Sequence, residues 1–128
     1  MNNIEFSAWL ESCSNQQAKA IRAVRKLIKE NTSNLDETIN QGKWLHGYIF
    51  YSKDSRMIFA LAPKGTTKTT LHMMPFYGSK ELQLRHQNAL APFLTGKSCI
   101  AFTNFSELPI EDLLNIVKEG TKVFLDRI

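Results

Sequence analysis

The spacing of apolar residues indicates helices in the first quarter of the chain. Between residues 3 and 31 apolar side chains recur every three or four positions, as expected for amphipathic helices. A break at Ser14 and Asn15 gives two predicted helices, and a third helical turn is predicted over residues 35–39, with Gly42 as a left-handed stop. The apolar stripes are Phe6, Trp9, Leu10 and Cys13 in the first helix, and Ala20, Ile21, Val24, Leu27 and Ile28 in the second.

The period falls to two from Trp44 onward, where aromatic and β-branched residues become frequent. This pattern predicts strands at about residues 44–51, 57–62 and 68–74. The turns between them, residues 52–55 and 63–66, are short. Because turns this short cannot hold a crossover, they predict an antiparallel meander.

The last third of the chain returns to helix. Ser79 is a predicted cap for a helix over residues 82–90, and a strand is predicted over residues 97–102. Pro109 suits the first turn of a final helix, and Gly120 indicates a close approach of that helix to the sheet. The predicted fold is α+β: a two-layer sandwich in which N- and C-terminal helices pack on an antiparallel sheet meander. The predicted apolar face of the final helix is Ile110, Leu113, Leu114, Val117, Thr121 and Phe124.

Composition adds broad limits. The 128 residues suit one domain spanning 1–128, and 43% hydrophobic residues with a net charge of +4 are ordinary for a folded protein. The first twelve residues have neither a basic leader nor a long apolar run, so we expect a cytoplasmic protein with no membrane segment. Cys13 and Cys99 are far apart in apolar settings, which favours reduced, structural thiols over a disulfide or a zinc site.

Four segments resemble an uncharacterised bacterial family typified by YdhG, a domain of unknown function often labelled frataxin-like or a putative intracellular iron chaperone. They are LDETINQGKW, TTLHMMPF, GKSCIAF and ELPIEDLLNIVKEGTKVF, in this order. The resemblance covers most of the chain beyond Ala18. It implies a frataxin-like α+β sandwich and supplies no catalytic residue.

The iron label fits the residues poorly. Iron binding of the frataxin type is associated with an acidic ridge, because hard iron ions prefer clustered carboxylates. Here Glu5 and Glu11 are the only acidic residues before Glu30, and the second helix is basic. Iron delivery is therefore the least favoured of the functions that we consider.

The alternation along the strands suggests a binding site. It places large apolar groups on both faces of the sheet, whereas one helical layer covers only one face. We expect the second face to meet a small molecule, a protein partner such as a second copy of the chain, or the short middle helix. The predicted ligand-binding residues are Trp44, His46, Tyr48, His72 and Met74. The plainer alternative is that these residues belong to a core or a dimer interface.

The second helix offers an alternative site. Its cations fall opposite the apolar stripe and predict one continuous basic face, which could bind an anion or nucleic acid or could simply be solvated. Nucleic acid is less favoured because no aromatic residues are interleaved with the cations. The cations are Lys19, Arg22, Arg25, Lys26 and Lys29.

Catalysis and metal binding have little support in the sequence. Neither cysteine has a neighbouring histidine along the chain, and His46, His72 and His86 lack a metal-ligand spacing. We predict no cofactor, no metal and no catalytic residue. The leading prediction is a small binding module that leans away from enzymatic activity and uses the apolar sheet face.

Overall fold

The computed structural model describes residues 1–127. It confirms the α+β two-layer sandwich: an antiparallel sheet is packed by helices from both ends of the chain. The helices of the first half are α1 (Asn3–Leu10) and α2 (Asn15–Asn31), followed by the strands β1 (Asp36–Ile39), β2 (Ile49–Lys53), β3 (Arg56–Lys64) and β4 (Lys68–Met73). The second half contains α3 (Met74–Gly78), α4 (Lys80–Leu90), β5 (Cys99–Phe102), α5 (Ile110–Asn115), a π-helical segment (Ile116–Gly120) and α6 (Thr121–Asp126).

The five strands lie in chain order, each antiparallel to its neighbours, so the predicted meander is confirmed. The β2–β3 turn consists of Asp54 and Ser55, with φ of 50° and 64°, the left-handed values that a tight hairpin needs. The β3–β4 turn begins at Gly65, whose φ of 63° suits a residue without a Cβ.

The core lies between the sheet and α2. Side chains that point to this face include the buried row Ile49, Leu61, Leu71 and Ile100, one from each of four paired strands. The apolar stripe of α2 supplies Ile21, Val24 and Ile28, all fully buried. Burying side chains of this size stabilises the fold by roughly 1.5–3 kcal/mol each.

Gln17 ties the start of α2 to the sheet. Ser14 caps the helix by accepting a bond from the Gln17 backbone, and the Gln17 side chain accepts one from the Ser14 backbone. The Gln17 amide also donates to the carbonyls of Gly65 and Lys68 at the β3–β4 turn, with both distances 2.9 Å. The cap therefore fixes the helix against one particular turn.

Two predictions about the middle of the chain are wrong. Residues 35–39 do not form a helical turn, because residues 36–39 form strand β1, and pairing with β2 supplies the backbone partners that an isolated turn lacks. Residues 44–48 form a loop instead of the start of a strand, and pairing of β2 with β3 begins at Ile49. The loop is held by hydrogen bonds described below.

The final helix differs from the prediction in its middle. Ile116–Gly120 is π-helical, although Leu113, Val117 and Thr121 of the predicted apolar face are all buried before, within and after it. Gly120 does allow a close approach, but to α3 and α4 and not to the sheet. A Cβ at this position would lie 2.9 Å from Pro75 Cβ and 3.3 Å from Leu82 Cδ1.

Candidate functional site on the open face of the sheet

The face of the sheet opposite α2 carries a row of paired residues with very different side chains. Phe50 pairs with Ala60, Ala60 with His72, and His72 with Cys99. Alternation places all four side chains on this face, because their neighbours Ile49, Leu61, Leu71 and Ile100 point into the core. We call this side of the sheet the open face.

The prediction of large apolar groups on both faces of the sheet is therefore wrong for β4, β5 and the part of β3 that pairs with β4, residues 59–64. On the open face this part of the sheet carries small or polar residues. They are Ala60, Ala62, Thr70, His72, Cys99 and Ala101.

The large apolar groups of the open face come from the loop before β2. The Trp44 ring lies edge-on to Phe50, at 6.5 Å between centroids, and edge-on to His72, at 6.2 Å. Since Phe50 and His72 flank Ala60 in the ladder, the indole bridges over Ala60, which is fully buried. Tyr48 adds a further edge-on contact with His72, at 5.9 Å. We call Trp44, Tyr48, Phe50 and His72 the aromatic patch.

Asn40 and Trp9 hold this loop in an unusual backbone conformation. Leu45 has a φ of 55° and Gly47 one of 83°, and the first value is costly for a branched side chain. The Asn40 amide donates to the carbonyls of Trp44, at 2.6 Å, and Leu45, at 3.1 Å. The Trp9 indole donates to the Gly47 carbonyl at 2.9 Å. Bonds from two separate elements therefore offset the strain.

The structure brings together three of the five predicted ligand-binding residues. Trp44 and Tyr48 both contact His72, although they reach the patch from a loop and not from a strand. His46 is exposed, and its Nδ1 lies 3.2 Å from the Gly42 carbonyl, within the loop. Met74 is the first residue of α3, so the strand alternation that predicted its position ends before it.

Cys99 is a residue of this site that sequence reasoning missed. Its Sγ lies 2.9 Å from Nδ1 and 3.2 Å from Nε2 of His72. Neither cysteine has a neighbouring histidine along the chain, but the pairing of β4 with β5 places Cys99 directly beside His72. The alternation of residues along the two predicted strands gave a partial signal, because it indicated which residues share a face of the sheet. Without the register between the strands, it could not say which residues lie opposite each other.

The electrostatics of the patch follow from partial burial. Burial lowers the pKa of His72, so its imidazole is neutral at neutral pH. Burial, and to a lesser extent the neighbouring Cys99, raises the pKa of the Tyr48 hydroxyl. The patch thus offers a neutral imidazole and a protonated phenol, with the sulfur of Cys99 beside them.

A second region with functional potential is a cleft of about 450 Å³ between α1 and α2. It is lined by four of the five predicted anion-binding residues, and Lys19 instead lines a separate cleft beside Asn104 and Phe105. The predicted single solvated basic face is also wrong for Arg25, which is partly buried with its guanidinium 4.0 Å from the centre of the Phe6 ring. The lining residues are Asn3, Phe6, Ser7, Arg22, Arg25, Lys26, Lys29 and Glu30.

Arg25 and Lys29 are already paired with an acid that the anion hypothesis did not consider. The Arg25 guanidinium donates to both carboxylate oxygens of Glu37, at 2.8 and 3.0 Å, and the Lys29 ammonium lies 3.5 Å from the same carboxylate. Tyr51 donates its hydroxyl to Glu37 at 2.7 Å. We call these residues the Glu37 cluster. Within residues 1–127, the ion pairs of α2 leave Arg22 and Lys26 as the unpaired cations of the cleft.

Comparisons with protein families, with curated proteins and with solved structures found no match to this chain. Across residues 1–127, no group of three or more His, Cys, Asp or Glu is arranged to hold a metal ion. No helix in this part of the chain has both the length and the hydropathy to cross a bilayer.

Proposed function

We propose that this protein is a binding module that uses the aromatic patch to hold an apolar, flat group of a small molecule or of a protein partner. The observation that carries the proposal is Trp44. Its side chain is 61% exposed, yet it lies in ordered edge-on contacts with Phe50 and His72. Exposed tryptophan that is held by its neighbours provides a large contact area with little loss of side-chain entropy on binding.

The loop conformation supports the same proposal. A non-glycine residue in the left-handed region costs on the order of 1 kcal/mol or more, and such strain is found mainly where function requires a particular geometry. Leu45 carries this strain at the residue directly after Trp44. Asn40 and Trp9 bond to the carbonyls of residues 44, 45 and 47, so they fix the part of the loop that presents the indole.

The chemistry of the patch suggests what it would bind. Trp44 and Phe50 offer apolar edges and faces, whereas the neutral His72 ring and the Tyr48 hydroxyl offer polar contacts beside them. Sites of this kind orient an apolar body through a small number of polar groups. We expect a ligand with an aromatic or aliphatic ring and one hydrogen-bonding substituent.

A ligand-observed NMR screen with ring-containing fragments tests this proposal. Trp44→Ala should weaken the binding of hits by about ten-fold or more, the loss expected for removing a central aromatic contact. Leu84→Ala is the matched control, because Leu84 is a similarly exposed apolar residue on α4, at 65%. Hits that bind equally to the Trp44 variant would contradict the proposal.

Sedimentation equilibrium separates the two kinds of partner. If the patch binds a second copy of the chain, the wild-type protein should dimerise with rising concentration and Trp44→Ala should not. Monomeric behaviour together with Trp44-dependent fragment hits would indicate a small molecule or a different protein. Monomeric behaviour without such hits would overturn the proposal.

The cleft between α1 and α2 supports a second candidate, the binding of a small anion. The specific observation is that Arg22 and Lys26 line a concave surface next to the apolar Phe6 ring. Two cations would attract a phosphate or carboxylate group, and this attraction would weaken as salt screens the charges. Arg25 and Lys29 contribute less, because Glu37 already balances part of their charge.

Calorimetric titration with tripolyphosphate at low salt tests this candidate. Arg22→Glu with Lys26→Glu should abolish binding, whereas Lys19→Glu should weaken it only slightly, because Lys19 lies outside the cleft. A short DNA duplex serves as the comparison ligand. If all three substitutions weaken duplex binding equally, the helix surface and not the cleft is the binding element.

A further inference from the structure

The strongest unassigned feature of the molecule is the thiol that lies against His72. Cys99 and His72 are directly paired residues of β5 and β4, so their contact is set by the backbone ladder and not by two flexible side chains meeting at a surface. The Sγ atom lies 2.9 Å from Nδ1 and 3.2 Å from Nε2, so both ring nitrogens are within reach of its proton. Both residues are partly exposed, so the pair lies near the surface of the open face.

We propose that Cys99 is a reactive thiol, activated by His72, that undergoes exchange with low-molecular-weight disulfides of the glutathione disulfide class. This inference goes beyond the proposed binding function, because it depends on the contact between Cys99 and His72 and requires no ligand on Trp44.

His72 is suited to the role of base. It is neutral at neutral pH, because burial lowers its pKa, and a neutral imidazole has a lone pair available for a proton. The edges of Trp44 and Tyr48 contact the ring and restrict its orientation. A thiolate is the nucleophilic form of cysteine, and an adjacent base increases the fraction that reacts.

A second group supports the thiolate. The Ser98 hydroxyl lies 3.6 Å from Cys99 Sγ, within the range of a hydrogen bond to sulfur. Either atom can be the donor in this contact, so the hydroxyl can donate to the sulfur once its proton has passed to His72. Cys99 therefore has a proton acceptor on one strand and a hydroxyl donor in the preceding residue.

The exchange balances without any further reactant. The Cys99 proton passes to a ring nitrogen of His72, and the sulfur attacks one sulfur of the small disulfide. The disulfide bond breaks as the new bond to Cys99 forms, so Cys99 is oxidised and the departing sulfur is reduced. The departing thiolate takes the proton from His72, which leaves a mixed disulfide on the protein and one free small thiol.

Cys13 is a built-in control within the same chain. It lies in the short connection between α1 and α2, and it is also partly exposed. Burial raises the pKa of Cys13, with only a weaker lowering by a hydrogen bond from Ser12. Within residues 1–127 the side-chain hydrogen-bond partner of Cys13 is Ser12 and not a histidine, so Cys13 should react as an ordinary or slow thiol.

The test measures each thiol separately in the native protein at neutral pH. Cys13→Ser leaves Cys99 as the single thiol, and Cys99→Ser leaves Cys13. The reagents are the chromogenic disulfide dithiobis-nitrobenzoate, followed by absorbance, and glutathione disulfide, followed by intact mass. We expect Cys99 to react about ten-fold faster than Cys13 with both reagents. Equal or slower reaction of Cys99 would overturn the proposal.

The role of His72 is tested in the protein that retains only Cys99. His72→Ala should lower the rate by about five-fold or more, and added imidazole should restore part of it, an effect that a purely structural role would not produce. His72→Asn, which keeps a polar group of similar reach but no basic nitrogen, serves where the alanine variant is not fully folded by circular dichroism. Rates that do not change in either folded variant would contradict the assignment of His72 as the base.

These outcomes are independent of the binding proposal. Fragment binding that survives Cys99→Ser, together with slow thiol exchange, would retain the binding module and remove the reactive thiol. Fast, His72-dependent exchange without any Trp44-dependent ligand would do the reverse.

Discussion

Phe50 and Tyr51 are neighbours in β2, but their side chains lie on opposite faces of the sheet. Polar groups on these two faces differ in how many hydrogen-bond partners surround them. On the helix-covered face, Tyr51 and Arg25 complete the hydrogen bonding of Glu37, whose side chain is 5% exposed. On the open face, Phe50 belongs to the aromatic patch together with His72, and within residues 1–127 side-chain hydrogen bonds link His72 and Cys99 only to each other and to Ser98. The first arrangement is closed and the second is accessible.

The difference shows why a strongly perturbed ionisable group is not by itself evidence of function. In the Glu37 cluster, burial alone would raise the pKa of the carboxyl. The hydrogen bonds from Arg25 and Tyr51, together with the charges of Arg25 and Lys29, outweigh burial, so the net effect is a lowered pKa. Burial and the Glu37 contact raise the pKa of Tyr51. All of these groups have partners, so they stabilise the fold and have little capacity left for a ligand.

The largest expected effect comes from breaking the closed cluster. Glu37→Gln removes the charge that Arg25 faces, and losing one partner of a buried ion pair costs about 3 kcal/mol in the free energy of unfolding. Urea denaturation measures the change. Glu81→Gln removes the exposed pair with Arg85 and should cost less than about 0.5 kcal/mol. Equal losses in the two variants would mean that the Glu37 cluster is not buried in solution.

A smaller effect is expected for the hydroxyl of Tyr51. Tyr51→Phe deletes the bond to Glu37 and keeps the ring, which is 1% exposed. Hydrogen bonds to charged groups contribute roughly 1.5–3 kcal/mol, and we expect a loss near the lower end because Arg25 still holds the carboxylate. Tyr77→Phe is the control, because Tyr77 is 51% exposed. A neutral Tyr51→Phe would show that Arg25 alone satisfies Glu37.

Acidification should remove part of the same stabilisation. The pKa of Glu37 is lower in the folded protein than its ordinary value of 4.5. Its contribution is therefore fully present above that ordinary value and is lost as the pH falls through the lower, folded pKa. The difference in unfolding free energy between wild type and Glu37→Gln should shrink below about pH 4. A difference that stays constant on acidification would contradict the lowered pKa.

The smallest effect on stability is expected on the open face. Trp44→Ala removes a side chain that is 61% exposed, so the cost should be below about 1 kcal/mol, mainly from the contacts with Phe50 and His72. Urea denaturation of this variant, alongside the binding measurements, separates the two roles of the indole. A loss above about 2 kcal/mol would place Trp44 in the core and would weaken the binding proposal.

The sequence pattern was sufficient for the layers of the fold but not for the site. Apolar residues at every second position located β3 and β4, and apolar residues at every third or fourth position located α2 and α4. Burial of one face of each element dictates both periods. Residues 35–39 were misassigned because β1 is stabilised by its pairing with β2, and the partner residues lie outside the short window from which a local pattern is read. Local propensity has no access to such pairing.

The aromatic patch could be predicted only in part for a related reason. Trp44, Tyr48 and His72 stood out as aromatic residues in a β-rich segment, but two of them reach the open face through a loop whose path depends on Asn40 and Trp9. The contact of Cys99 with His72 depends on the β4–β5 register, which the sequence does not state. The contact of the Asp112 carboxylate with His86 Nδ1, at 2.7 Å, likewise depends on the packing of α4 against α5, which the sequence does not state.

The π-helical segment Ile116–Gly120 has a consequence for the evolution of the chain's last helix. A segment of this kind is equivalent to one added residue in an α-helix, so α6 is rotated by about 100° from where an uninterrupted helix would place it. Deleting a single residue here would return the segment to α-helix and leave Thr121, now buried, facing the same way, whereas adding one residue would turn it toward solvent. One-residue deletions in this segment should therefore be tolerated better than one-residue insertions.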